Sequence, residues 1–372
     1  MKKLLKLIFI NILVFLGLLL SLNFAAILIF QGYSMIKPSS EIRMNLPNYK
    51  NTAWATKHFK EFANLPTEYK SYVGWRRLPF KGETINIDDN GLRVTPQSEK
   101  VNDTSKLVAF LGGSTMWGTG SNDINTIPAQ FAALANGTYR VLNLAETSYN
   151  AFQGYLFLKI KTIEGLKPDI IVCYDGINEI TALDLAVKPF SHIRERQINE
   201  AMQGMDRNEV MSFRYFFIRP LKIFIDKLKM LVRLKQGNKK TFGNDNKMES
   251  ERVKQVASGL LESWQSSKDL ADKIGAEFIG ILQPTIYLGH PKKDYLHIDE
   301  NVGPKFQALY AEIARMLNEP KYRDLSKGIV DLTAAFDGNE HIYIDNMHVS
   351  PNGNKIIAEK ILNRIINNRK ND

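Results

Sequence analysis

The sequence predicts a three-layer α/β sandwich with a central parallel sheet, preceded by one N-terminal transmembrane helix, and three observations carry that prediction. From about Lys106 onward, apolar runs of strand length alternate with helical patterns. The runs are continuously apolar rather than alternating, as expected of strands buried on both faces and joined by helices. Ahead of them, Leu7 to Phe30 forms 24 positions without a formal charge. The 372 residues, 44% of them hydrophobic, are ample for a proper core, so disorder is not the default.

The strand candidates are KLVAFLG from Lys106, YRVLNL from Tyr139, DIIVCYDG from Asp169, AEFIGIL from Ala276 and GIVDL from Gly328. Helices are expected over about 124–136, 150–165, 250–274, 302–318 and 351–367, from the spacing of apolar positions. In such sheets ligands sit at the carboxyl ends of the strands, so the loops after the strands are the places to look for chemistry.

As a helix, Leu7 to Phe30 extends roughly 36 Å at 1.5 Å per residue, enough for a bilayer core. A cleavable signal has a shorter apolar stretch ending at a small residue; here the candidate site at Ala25 and Ala26 is followed by Ile-Leu-Ile-Phe, which favours an uncleaved anchor over residues 1–33. Lys2, Lys3 and Lys6 precede the helix, so the positive-inside rule places the N-terminus in the cytoplasm and the remainder outside the cytoplasmic membrane, in the periplasm or at the cell surface. Cys173 is the only cysteine, which excludes an internal disulfide and a cysteine-based metal cluster. The formal charge of +10 is dispersed, without zinc-finger spacing or an RNA-binding aromatic signature; this speaks against nucleic acid and for anionic membrane surfaces or acidic polymers.

Residues 34–100 read as an irregular, aromatic-rich extension with one short hairpin, where Ile85 and Ile87 alternate with polar residues before Asp89-Asn90-Gly91. In it, Trp75, Arg76 and Arg77 either contact substrate or pack the segment onto the main domain. The main domain, 101–372, is interrupted over about 183–249 by a stretch long enough to need structure of its own. There Pro220 starts a candidate helix with Leu221, Phe224, Ile225, Leu228, Leu231 and Val232 on one face and lysines and arginines beside it. It reads either as a membrane-facing lid or as a plain surface helix.

The first chemical signal is LVAFLGGSTMWGTG, an apolar strand running into Gly112, Gly113 and Ser114. Glycines at a strand end permit a tight turn and a close backbone approach, leaving the serine at the mouth of the sheet. A phosphate-binding loop fails as a competitor, because no Lys-Ser/Thr pair follows the glycines. A serine hydroxyl needs a neighbouring base with an orienting carboxylate. HIYIDNMHVSPNGNKIIAEKI supplies both: Asp345 lies three residues before His348, ahead of a helix expected to be capped by Ser350 and opened by Pro351. Acyl transfer also needs donors for the oxyanion. Asn178, after DIIVCYDG, and a backbone N–H in Ala145–Asn150, after YRVLNL, stand at the two remaining strand ends of interest.

Four blocks in order, GGSTMWG, NLAETSYNAFQ, DGINE and DNMH, resemble the signature of the SGNH/GDSL hydrolase superfamily, over roughly Lys106 to Arg369 apart from the interruption. The resemblance implies a flavodoxin-like α/β/α sandwich in which Ser114 attacks, His348 is general base and then acid, and Asp345 orients it. It implies an oxyanion hole of the Ser114 N–H, the Ser148 N–H and the Asn178 side chain, with no metal and no cofactor. Two positions depart from the pattern: Gly113 stands where the GDSL form has aspartate, which resembles the GGS branch associated with bacterial glycan acylation and deacylation, and Ser148 stands at the second-block glycine. The expected activity is that of a serine esterase removing or transferring O-acyl groups, O-acetyl above all, on cell-envelope glycans. Release to water makes an esterase; release to a sugar hydroxyl makes an acyltransferase, which would draw on a membrane acyl-donor partner. A lipid or lysophospholipid esterase and a non-catalytic glycan-binding or assembly protein are the alternatives.

Overall fold

The computed structural model describes residues 2–36, 42–184, 190–206 and 246–371. The candidate helix from Pro220 lies outside the described residues. In chain order the elements are α1 (Lys2–Ile36), α2 (Ala55–Ala63), β1 (Thr67–Lys70), β2 (Gly74–Arg77), β3 (Phe80–Lys81), β4 (Asn86–Ile87), β5 (Lys106–Gly112), α3 (Ser114–Trp117), α4 (Ile127–Ala135), β6 (Tyr139–Asn143), α5 (Ala151–Ile163) and β7 (Ile170–Asp175). They continue with α6 (Ile180–Asp184), α7 (Glu195–Asp206), α8 (Asn246–Ile274), β8 (Glu277–Leu282), α9 (Gly303–Leu317), α10 (Arg323–Ser326), β9 (Ile329–Asp331) and α11 (Pro351–Asn371).

The chain divides into two compact units, one of Met1–Ser40 with Arg194–Thr241 and one of Glu41–Ile193 with Phe242–Asp372. The smaller contains α1 and α7. The run from Leu7 to Phe30 is helical throughout, and among the described residues no helix is long and apolar enough to cross a membrane.

In the larger unit, β5 to β9 form one parallel sheet in the spatial order β6-β5-β7-β8-β9. This is the 2-1-3-4-5 order of flavodoxin-like sheets, with its switch point between the first and third strands. Strand β7 (IIVCYD) is buried at every position, and β-branched residues suit a strand covered on both faces. Helices α4 and α11 pack together, and α8 packs on both α5 and α9, giving the two outer layers. Local sequence sets the helix starts that matter for the site. Asn150 and Gln153 form a reciprocal capping box at the head of α5, and the Thr126 hydroxyl accepts from the Ala129 N–H at α4.

All five strand candidates are strands, and their register aligns the ends that carry the four sequence blocks. Gly112 of β5 stands beside Tyr174 of β7, and Asp175 of β7 beside Leu282 of β8. The segment before the sheet holds more structure than its sequence pattern suggests. Helix α2 and the β1–β2 hairpin arise within it, while the turn expected at Asp89-Asn90-Gly91 is present, with Asp88 Oδ1 accepting the N–H groups of Asn90 and Leu92. Val73, Trp75, Ile85 and Leu92 join the main hydrophobic core, and Tyr49, Ala55 and Phe59 form a small satellite cluster with Ile344.

Candidate active site

Strand β5 delivers the serine. Gly112 ends the strand, Gly113 is the residue before α3, and Ser114 is the first residue of that short helix. Neither glycine has room for a side chain: a Cβ on Gly112 would lie 2.6 Å from the Tyr174 carbonyl oxygen, and one on Gly113 would lie 2.0 Å from Asn178 Nδ2. The glycine pair therefore exists so that the backbone can pass under β7 and under the asparagine that follows it.

The loop before α11 supplies the base. His348 Nε2 is 2.7 Å from Ser114 Oγ, and His348 Nδ1 is 2.8 Å from Asp345 Oδ2 and 3.0 Å from Oδ1. Serine, imidazole and carboxylate thus form one continuous hydrogen-bonded line, although Ser114 and His348 are 234 positions apart. The three-residue spacing closes a turn in which Asp345 Oδ1 also accepts the Met347 and His348 N–H groups, at 3.0 and 2.8 Å. Pro351 opens α11 as expected, but the Ser350 hydroxyl does not cap it; it is buried and bonds nothing among the described residues.

The end of β8 brings the two loops together. Thr115 Oγ1 donates to Gln283 Oε1 at 3.0 Å, and the Asn346 carbonyl accepts from Thr285 Oγ1 at 3.0 Å. Farther along, Asn354 on α11 donates to Ser121 Oγ and to the Asn125 carbonyl, at 2.9 and 2.8 Å. Burial alone would raise the Asp345 carboxyl, yet the charge and hydrogen bonds of His348, with the guanidinium of Arg43, hold it well below the usual carboxylate range. Arg43 Nη1 donates to Asp345 Oδ2 at 2.9 Å.

Asn178 and Ser148 lie beside the serine turn. Asn178 Nδ2 packs over Gly113 and donates one hydrogen to the Tyr149 carbonyl at 2.6 Å, which leaves its second amide hydrogen for a ligand. Ser148 adopts φ +64°, the left-handed conformation natural to glycine, and its N–H donates to nothing among the described residues. The serine substitution thus keeps the backbone shape that a glycine would take. The Ser114 N–H, at the first helical position, has no intrahelical acceptor.

Two buried carboxylates fix these loops. Glu146 accepts the Arg77 N–H and the Thr147 N–H at 3.2 and 2.7 Å, with the Nε atoms of Arg77 and Arg76 at 3.4 and 3.9 Å. Arg76 donates to the Leu144 and Ala145 carbonyls, and Trp75 Nε1 donates to the Thr147 carbonyl. Trp75, Arg76 and Arg77 are all buried. Of the two readings of these residues, burial favours packing: they hold the N-terminal segment against the second block, with the arginines buried as well. Glu179 bridges the second and third blocks, accepting the Ala151 N–H at 2.8 Å and the Gly176 N–H at 3.0 Å. Burial pushes both Asp175 and Glu179 upward, Asp175 further so because Glu179 is near.

The structure therefore brings Ser114, His348 and Asp345 into contact and sets Asn178 and Ser148 at the adjoining strand ends. Glu146 and Glu179 were within the recognised blocks, where a charged residue in a buried loop is the signal for such a role. Arg43 had no such signal, because nothing in the spacing of residues 34–100 links it to Asp345.

No family model matches the chain, and no curated protein matches it. Among solved structures it is similar to a GDSL-like lipase from Bacteroides thetaiotaomicron, at 11% identity and a TM-score of 0.38 over 73% of this chain and 92% of that one. It is also similar to an acetyl xylan esterase, at 11% identity and a TM-score of 0.38 over 70% of this chain and 99% of that one. A carbohydrate acetylesterase family member from Sinorhizobium meliloti is similar at 12% identity and a TM-score of 0.35, over 70% of this chain and 97% of that one.

Proposed function

We propose that this chain is a membrane-anchored serine esterase of the SGNH/GDSL type that removes or transfers O-acyl groups, chiefly O-acetyl, on cell-envelope glycans outside the cytoplasm. The observation that carries the chemistry is the continuous line Ser114 Oγ, His348 and Asp345, with contacts of 2.7 and 2.8 Å. His348 Nε2 takes the proton as Ser114 Oγ attacks the ester carbonyl, and Asp345 stabilises the imidazolium that forms. The oxyanion is received by the Ser114 and Ser148 N–H groups and the second hydrogen of Asn178. His348 returns its proton to the leaving alkoxide, and water or a sugar hydroxyl then attacks the acyl-serine by the same base. The site residues are half-buried, so an acceptor has access.

The glycan substrate is supported by the GGS form of the first block, and the anchor by the uncharged helical run with its preceding lysines. The apolar side chains described along α1 from Leu4 to Leu18, Leu16 apart, are exposed, a surface that suits lipid better than water.

The test uses the full-length protein in detergent with a fluorophosphonate probe and intact-mass measurement. Wild type gains one adduct and Ser114→Ala none; equal labelling of the two, or of neither, counts against the enzyme. With p-nitrophenyl acetate, Ser114→Ala and His348→Ala lose about three to six orders of magnitude in turnover, as removal of triad members does elsewhere. Acetate release from acetylated envelope polysaccharide, set against acetyl transfer between sugars, separates esterase from transferase.

A further inference from the structure

Asp345 Oδ2 meets both an imidazole and a guanidinium. It is 2.8 Å from His348 Nδ1 and 2.9 Å from Arg43 Nη1, while Oδ1, 3.0 Å from the same Nδ1, accepts the two loop N–H groups. A triad carboxylate needs only one imidazole to orient, so the arginine is an addition to the chemistry and not a requirement of it.

The segment that carries Arg43 is fastened to both catalytic loops. Asn48 Nδ2 donates to the His341 carbonyl just before the Asp345 turn, and Tyr49 Oη donates to the Gly120 carbonyl just after the Ser114 helix, at 2.5 Å in the latter case. The Gly120 N–H donates to His58 Nε2 on α2 at 3.1 Å. Ile344, next to Asp345, packs with Tyr49, Ala55 and Phe59, and the Arg43 guanidinium lies over the Phe59 ring, 5.1 Å from its centre.

We infer that Arg43 is a positioning residue for the Asp345–His348 pair: it aims Oδ2 at the imidazole and sets a fixed positive charge against the carboxylate. This rests on the esterase reading of the same site. Guanidinium and imidazolium repel each other across one carboxylate, so removal of the Arg43 charge is expected to change the acid limb of activity. Two tyrosines and one histidine near the pair are held neutral. Tyr287, after β8, is kept protonated by burial, with Asp299 and Glu300 acting on it, and Tyr295 is likewise raised and donates to the Tyr343 carbonyl. His58 is kept neutral by burial, then by Arg93 and by Arg43 itself.

The experiment compares pH profiles of kcat/KM for full-length wild type, Arg43→Gln, Arg43→Lys and Arg43→Ala with p-nitrophenyl acetate. Arg43→Gln keeps a donor but removes the charge, so its acid limb moves up by about half to one pH unit, within the range for a neighbouring charge. Its plateau falls less than that of Arg43→Ala, which loses orientation as well. Arg43→Lys returns the limb to the wild-type position. A purely structural role would lower plateaus and leave the limb in place. The second readout needs no turnover: the low-field Nδ1–H proton resonance, identified by its loss in His348→Asn, moves downfield in Arg43→Gln as the guanidinium charge no longer draws on the Asp345 carboxylate. A limb and a resonance in Arg43→Gln that superimpose on wild type overturn the inference, as does a lysine variant whose limb stays with that of glutamine. Activity that survives Ser114→Ala overturns the esterase reading instead, and the proton resonance then still decides the role of Arg43.

Discussion

Replacing Gly113 by alanine should disable the oxyanion hole without touching the triad. The added Cβ would stand 2.0 Å from Asn178 Nδ2 and 3.2 Å from the Tyr149 carbonyl oxygen. An ordinary carbon contact is roughly 3.5 Å, so the amide must retreat by about 1.5 Å, with Tyr149 barring part of the way. A shift of that size breaks the 2.6 Å bond from Asn178 to Tyr149 and removes the second amide hydrogen from the substrate side. Loss of one oxyanion donor costs about 10²–10³ in kcat, or about 3–4 kcal/mol of transition-state stabilisation. The overpacking itself destabilises the fold by about 1–3 kcal/mol, which leaves folded enzyme to assay. The assay is p-nitrophenyl acetate hydrolysis by wild type, Gly113→Ala, Asn178→Ala and the double variant. The expected pattern is a large fall in kcat with KM nearly unchanged, and a double variant no worse than Asn178→Ala alone, because both changes remove the same donor. Gly113→Ala with at least half of wild-type kcat, or losses that multiply in the double variant, would refute the reasoning.

Three further outcomes follow from the same geometry. Ser148→Gly retains the backbone donor and relieves a positive φ at a non-glycine residue, so activity stays within about twofold and thermal stability rises by up to roughly 1 kcal/mol; a tenfold loss of activity would mean that the hydroxyl itself takes part. Glu146→Ala leaves two buried guanidinium groups without their carboxylate and costs about 3–5 kcal/mol in urea unfolding, whereas a loss below about 1 kcal/mol would show the cluster to be incidental. Asp175 has its folded pKa raised from the ordinary value to about 8, chiefly by burial, so the native state holds a proton that the unfolded chain releases. Its stabilising contribution is complete below the unfolded value near pH 4 and is lost as pH climbs through about 8. Asp175→Asn cannot ionise and can still accept from Trp264 Nε1, so its melting temperature should fall less than that of wild type between pH 5 and pH 9; parallel curves would count against a buried protonated carboxyl.

The strands and the local chemistry could be read from single segments. Continuous apolar runs such as IIVCYD can be stable only where both faces of a strand are covered, and Gly112-Gly113 directly after such a run admits few backbone paths. The three-residue spacing of Asp345 and His348 likewise defines a local turn. What could not be read were contacts between segments whose own patterns are weak. Helix α2 and the β1–β2 hairpin take their stability from Trp75, Phe59 and their neighbours packing on distant residues rather than from propensity, and a sequence window does not contain those partners.

The sequence by itself determined which groups can do chemistry here: a serine on a glycine turn, a histidine with its carboxylate, and an asparagine at a third strand end. These depend on residue type and short spacing alone. Only the tertiary structure decided that Gln283 and Thr285 at the end of β8 draw the serine and histidine loops to within a hydrogen bond. It likewise decided that Arg76, Arg77 and Glu146 are buried together and that Arg43 shares the oxygen of Asp345. Charge pairing and burial act through space, and residues separated by some three hundred positions leave no mark of their meeting in either local pattern.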